Sequence, residues 1–73
     1  MRLTDLQVKD IVNIKDGKRL GKIIDAEVSS EGQIRYFVVE QRRFFRFFSS
    51  NLETNITFEQ IIKIGEDVIL VEL

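Results

Sequence analysis

The chain has 73 residues, eleven basic and twelve acidic, with no cysteine, no histidine and no proline. A domain of this size buries only about 60% of the surface its unfolded chain exposes, and this one has neither a disulfide nor a cysteine–histidine zinc site as a staple. Its stability must come from packing its 44% hydrophobic residues, and a net charge of −1 gives little overall field to steer nucleic acid or membrane.

The N-terminal stretch MRLTDLQVKD places Asp5, Lys9 and Asp10 where a signal peptide needs an uninterrupted apolar run. No apolar run approaches the roughly 20 residues of a membrane-spanning helix. The expectation is a soluble, cytoplasmic domain without stable membrane insertion. Within this stretch RLT reads as a brief first strand, and KDIVNI as a second that ends at KDGKRLG. Asp16 and Gly17 form a hairpin-turn pair, because glycine has no Cβ to clash at positive φ.

GKIIDAEVSS follows, and strict alternation sets Ile24, Ala26 and Val28 on one face with Asp25 and Glu27 on the other. SEGQ turns the chain through Gly32. QIRYFVVE then puts Ile34, Tyr36 and Val38 on one face and Phe37 and Val39 on the opposite one. TNITF and DVILVEL continue the β pattern, with Val68 and Leu70 facing opposite to Ile69, Val71 and Leu73. Between them Phe58, Ile61 and Ile62 have the i, i+3, i+4 spacing of one helical turn, followed by a short strand and a last turn bracketed by Gly65 and Asp67.

No segment sustains a helical period for the ten or more residues of a globular helix. The fold class expected is all-β, one domain over residues 1–73, with six short strands and one short helical turn. Six strands in so short a chain cannot cover two open sheet faces, and open edges invite aggregation. Closure into a small barrel with a filled lumen answers both problems. The longest connection is the aromatic segment Gln41 to Leu52.

Two stretches resemble a known family. DGKRLGKIIDAEVSSEGQIRYFVV carries Gly17, Leu20, Gly21, Ile23 and Asp25 at the spacing of the PRC-barrel domain, and ITFEQIIKIGEDVILVEL is similar to the ending of its short, single-domain YlmC/YmxH-type sporulation members. The resemblance covers essentially the whole chain. One departure is that Thr57 and Phe58 stand where those members commonly have proline and tryptophan; Phe58 still supplies an aromatic anchor, while the rigidity of proline is lost. The resemblance implies a six-stranded β-barrel, an association with sporulation, and a binding or assembly role, as in a ribosome maturation factor and a photosynthetic reaction-centre subunit. It carries no catalytic residues.

The residues agree with that last point. Nucleophilic catalysis at Ser29, Ser30, Ser49 or Ser50 lacks a histidine base, and these serines sit in turn-like sequence where backbone hydrogen bonding is their ordinary use. Asp25 with Glu27, and Glu66 with Asp67, lack the oxygen-ligand loop that calcium requires. The expectation is therefore no enzyme activity, no catalytic residue, no cofactor and no metal. The feature left over is QRRFFRFFSS, in which alternation sends Phe45 and Phe47 to one face and Phe44, Arg46 and Phe48 to the other. Either the loop folds back and buries its rings, or some of them form an apolar patch rimmed by arginines. Arg42, Arg43, Phe44, Arg46 and Phe48 are the expected interaction surface, for a homodimer or a protein partner. The alternative is an RNA- or ribosome-associated factor using the Arg42 to Arg46 stretch for stacking and phosphate contacts.

Overall fold

A computed structural model describes residues 1–41 and 52–73 of the chain. The first element is a helix, α1 (Leu3–Gln7), where a brief strand was expected. The reason lies in Asp5, whose carboxylate accepts the Arg2 backbone N–H at 2.7 Å, while the Asp5 N–H donates to the Arg2 carbonyl at 3.0 Å. These bonds satisfy end groups of a first helical turn, and the turn lays Leu6 against the core.

Strands β1 (Asp10–Asn13), β2 (Arg19–Val28), β3 (Ile34–Gln41), β4 (Leu52–Ile56), β5 (Ile61–Ile64) and β6 (Val68–Val71) form one sheet in the order β4-β3-β2-β1-β6-β5. All neighbours are antiparallel except β1 and β6, which run parallel from Asp10↔Val68 to Asn13↔Val71. The β1–β2 turn follows the sequence reading. Gly17 has φ 69°, its N–H donates to the Asn13 carbonyl at 2.8 Å, and the Asp16 carboxylate accepts the Lys18 N–H at 2.9 Å. Buried Asn13 accepts the Lys15 N–H on its side-chain oxygen at 3.2 Å, which accounts for a polar group at that depth.

β2 is long enough to serve two halves of the sheet. Its Arg19–Gly21 end pairs with β1, and Lys22 to Val28 pair with β3. At the changeover Leu20 is an extra residue between Arg19↔Val12 and Gly21↔Ile11, and Gly21 has φ 128°. A bulge of this kind bends and twists the strand, which turns the sheet around its own inner face.

Further bulges change which side chains reach the core. Ile24 is extra between Ile23↔Val39 and Asp25↔Val38, so Ile23 and Ala26 point inward while Ile24 and Val28 are exposed. This corrects the expectation that Ile24, Ala26 and Val28 share the inner face. On β3, Arg35 is extra between Tyr36↔Glu27 and Ile34↔Val28. Ile34 consequently packs against the core, on the side of Phe37 and Val39 and not with Tyr36 and Val38. β6 has no such slip, and Ile69, Val71 and Leu73 face inward as alternation predicts.

The inner side chains of Ile11, Leu20, Ile23, Phe37, Val39, Ile56, Ile69 and Val71 make one buried cluster, with Ile61 packed against it. Inside it there is no room for a water molecule, so the lumen is filled by side chains as expected. Among the described residues ring closure is incomplete. β4 and β5 are the two ends of the sheet order, with no ladder between them among the described residues. The chain crosses this seam by the 3₁₀ turn Phe58–Gln60, which the Gln60 side chain stabilises by accepting the Thr57 N–H at 3.0 Å. Phe58 sets its ring edge against Phe37, with centroids 5.3 Å apart, which supplies the expected aromatic anchor.

The two chain ends are also tied by Lys9. Its ammonium donates to the carbonyls of Gly65 at 2.6 Å and Glu66 at 2.5 Å, across the β5–β6 turn. Hydrogen bonds from a charged donor contribute about 1.5–3 kcal/mol each in favourable settings, and less where solvent competes. Lys9→Met is expected to lower stability by about 1–3 kcal/mol, read as a lower urea midpoint with an unchanged slope.

Candidate interaction surface

The β3–β4 connection holds every residue singled out for interaction. Arg42, Arg43, Phe44, Arg46 and Phe48 lie outside the described residues, as do Ser49 and Ser50. The structure fixes where that connection starts and ends, since Gln41 and Leu52 are directly paired. The row just before it runs Lys22↔Glu40↔Glu53 across three strands. The stretch RRFFRFFSSN thus leaves and re-enters the sheet at one point, beside the β2 end that carries Arg19 and Lys22.

A second apolar zone lies at the other end of β4. Phe58 is 51% exposed despite its contact with Phe37, and Ile62 is 53% exposed. Ile62 is the extra residue of a bulge between Ile61↔Val71 and Lys63↔Leu70. Ile64 is also exposed on the same strand. The spacing of Phe58, Ile61 and Ile62 predicts a turn, and that turn forms; Ile61 packs against the core cluster, Phe58 touches it through Phe37, and Ile62 stays exposed.

Arg42, Arg43 and Arg46 are the basic residues that stand out in the sequence; the fold brings a second group of cations together. Lys15, Lys18, Arg19 and Lys22 are all exposed on the β1–β2 hairpin. An open groove of about 250 Å³ runs beside it, lined by Asp10, Arg19, Leu20, Gly21 and Lys22. Arg19 meets Asp10 only loosely, at 3.6 Å, with its side chain 75% exposed. The Lys22 ammonium reaches the Val8 carbonyl at 3.3 Å. The signal was present in KDGKRLGK, where the turn residues masked the charge.

The serines of the β2–β3 turn are engaged with their surroundings. The Ser29 hydroxyl accepts the Gln33 N–H at 3.1 Å, and the Ser30 hydroxyl donates to the Glu31 carboxylate at 3.3 Å. Asp25 directs a carboxylate oxygen to the Ala26 N–H at 2.8 Å. These are local turn and strand contacts. Among the described residues no helix is long and apolar enough to cross a membrane.

A six-stranded sheet wrapped on one small core, with a single turn before β5, agrees with the all-β fold that the resemblance implied, although the second strand is bulged and the ring is not closed among the described residues. The model of the PRC-barrel domain family matches residues 1–73. The chain belongs to the PRC-barrel domain family. Among curated proteins this PRC-barrel chain is similar to the probable sporulation protein YlmC of Bacillus subtilis strain 168, with 40% identity over 73 residues that cover 97% of this chain and 90% of the relative. It is also similar to the uncharacterized protein YmxH of the same strain, with 32% identity over 76 residues that cover all of this chain and 89% of the relative. Both alignments span nearly all of this chain and about nine-tenths of each relative.

Proposed function

We propose that this PRC-barrel domain is a non-enzymatic interaction module of sporulation, acting through contact with a second copy or with a protein partner. The observation that carries this reading is that the ring is incomplete among the described residues. β4 and β5 end the sheet, and half-exposed Phe58 and Ile62 lie beside the seam between them. Strand edges and large apolar side chains near one another favour association over solvent. The link to sporulation rests on the likeness to YlmC. The stretch of residues 42–48 lies outside the described residues, and from its sequence alone Phe44 and Phe48 are the candidate contact rings of a second, arginine-rich site.

The test separates surface from core. Losing a central interface ring commonly costs binding about 2 kcal/mol or more, whereas losing a buried ring costs about 3–5 kcal/mol of folding. Phe44→Ser combined with Phe48→Ser is expected to leave thermal unfolding of the isolated domain nearly unchanged and to abolish its self-association in sedimentation. An unfolded double variant would place these rings in the core and remove them from the interface.

A further inference from the structure

The charges are segregated along β2 in a way that the net charge conceals. Residues 15–22 hold Lys15, Lys18, Arg19 and Lys22 against one carboxylate, Asp16. The β2–β3 hairpin from residue 23 to 36 holds Asp25, Glu27 and Glu31 against one cation, Arg35, which the register sets beside Glu27. All seven of these poles' side chains (Lys15, Lys18, Arg19, Lys22, Asp25, Glu27 and Glu31) are exposed. A strand advances about 3.3 Å per residue, which sets Arg19 and Glu27 about 25 Å apart. That exceeds the Debye length of about 8 Å at physiological ionic strength, so the two poles do not neutralise each other within one molecule.

We propose that copies of this chain associate head to tail, the basic β1–β2 hairpin of one docking on the acidic β2–β3 hairpin of the next. This deepens the interaction-module reading and rests on it. A second copy is the favoured occupant because the complementary surface is present on the chain itself. A free polyanion fits less well: Asp10 lines the groove beside Arg19, and the net charge of −1 offers no long-range attraction. The contact uses different surfaces on its two sides, so it does not close on itself, and assemblies lengthen with concentration. It is distinct from a two-fold contact through aromatic rings.

Exposed ion pairs are individually weak and are screened by salt. The head-to-tail contact should therefore loosen about tenfold in apparent dissociation constant between about 20 mM and about 300 mM salt. The experiment is sedimentation velocity of the whole chain at both salt concentrations, with two charge-reversed variants, Lys18→Glu with Arg19→Glu, and Glu27→Lys with Glu31→Lys. Each variant alone is expected to lose the salt-dependent growth in mass. An equimolar mixture of the two should regain it, because one then carries two acidic poles and the other two basic ones. Thermal unfolding of each variant confirms that it is folded. A wild-type mass indifferent to salt, variants that retain the wild-type response, or a mixture that does not associate would each overturn the proposal. So would capture of single-stranded RNA by the wild type without any growth in protein mass. Association that survives high salt and the charge variants, yet is lost in Phe44→Ser with Phe48→Ser, would refute this contact while leaving the interaction-module reading intact.

Discussion

Phe37→Ala is expected to remove a large share of the stability of the domain and to lower its melting temperature more than Lys9→Met, Gly17→Ala or Gly21→Val. Phe37 is 1% exposed and is the largest of the fully buried side chains. It pairs with Ala26 on one side and Ile56 on the other, so one ring fills the space between β2, β3 and β4 and also supports Phe58. Deleting a buried phenylalanine costs about 3–5 kcal/mol, part of it from the cavity left behind. A domain of this length has a total stability of roughly 4–11 kcal/mol. Urea unfolding followed by circular dichroism checks the loss, and Phe37→Leu should recover most of it. A midpoint close to that of the wild type for Phe37→Ala would mean that the core is organised around other residues.

Gly21→Val should produce the next largest loss. At φ 128° the backbone occupies a region that side chains with a Cβ rarely adopt, and valine adds branching to the strain. A strained non-glycine backbone costs of order 1–3 kcal/mol, and here it falls where β2 changes partner from β1 to β3. Gly17→Ala is the useful comparison. Gly17 has φ 69°, and an added Cβ there meets nothing within 4 Å. Its cost is the left-handed penalty alone, about 1–2 kcal/mol. The expected order of melting temperatures is wild type, Gly17→Ala, then Gly21→Val. Equal losses at the two glycines would show that Gly21 is an ordinary turn position, without a role in bending the sheet.

These two residues also mark what was legible in the sequence. Alternation reads correctly wherever a strand is regular, as at Ile69, Val71 and Leu73, and the Asp16–Gly17 turn is visible because its chemistry is local. Leu20, Ile24, Arg35 and Ile62 are each one residue too many against a neighbouring strand. Because side chains alternate with a period of two, each extra residue reverses the faces beyond it. Nothing within a single strand reveals this, since a bulge is a property of the pair. The N-terminal segment failed for another reason: three residues, RLT, are too few to establish a period, while Asp5 offered a helix-capping carboxylate. The basic hairpin is present in KDGKRLGK as a cluster of cations, but there the turn chemistry of Asp16 and Gly17 is the stronger signal.

The surfaces follow the same division. The aromatic stretch announces itself by composition, whereas exposure of Phe58 and Ile62 depends on the seam and on the bulge at Ile62. The proposed interaction module, with an exposed apolar zone at Phe58 and Ile62 and two charge poles, should not remain alone at high concentration. Sedimentation equilibrium of the wild-type chain, from low to high micromolar concentration near physiological salt, tests this most directly. The expected result is an average mass that rises with concentration to at least twice the 8.6 kDa of one chain. A mass that stays at 8.6 kDa across the range would contradict self-association in either form.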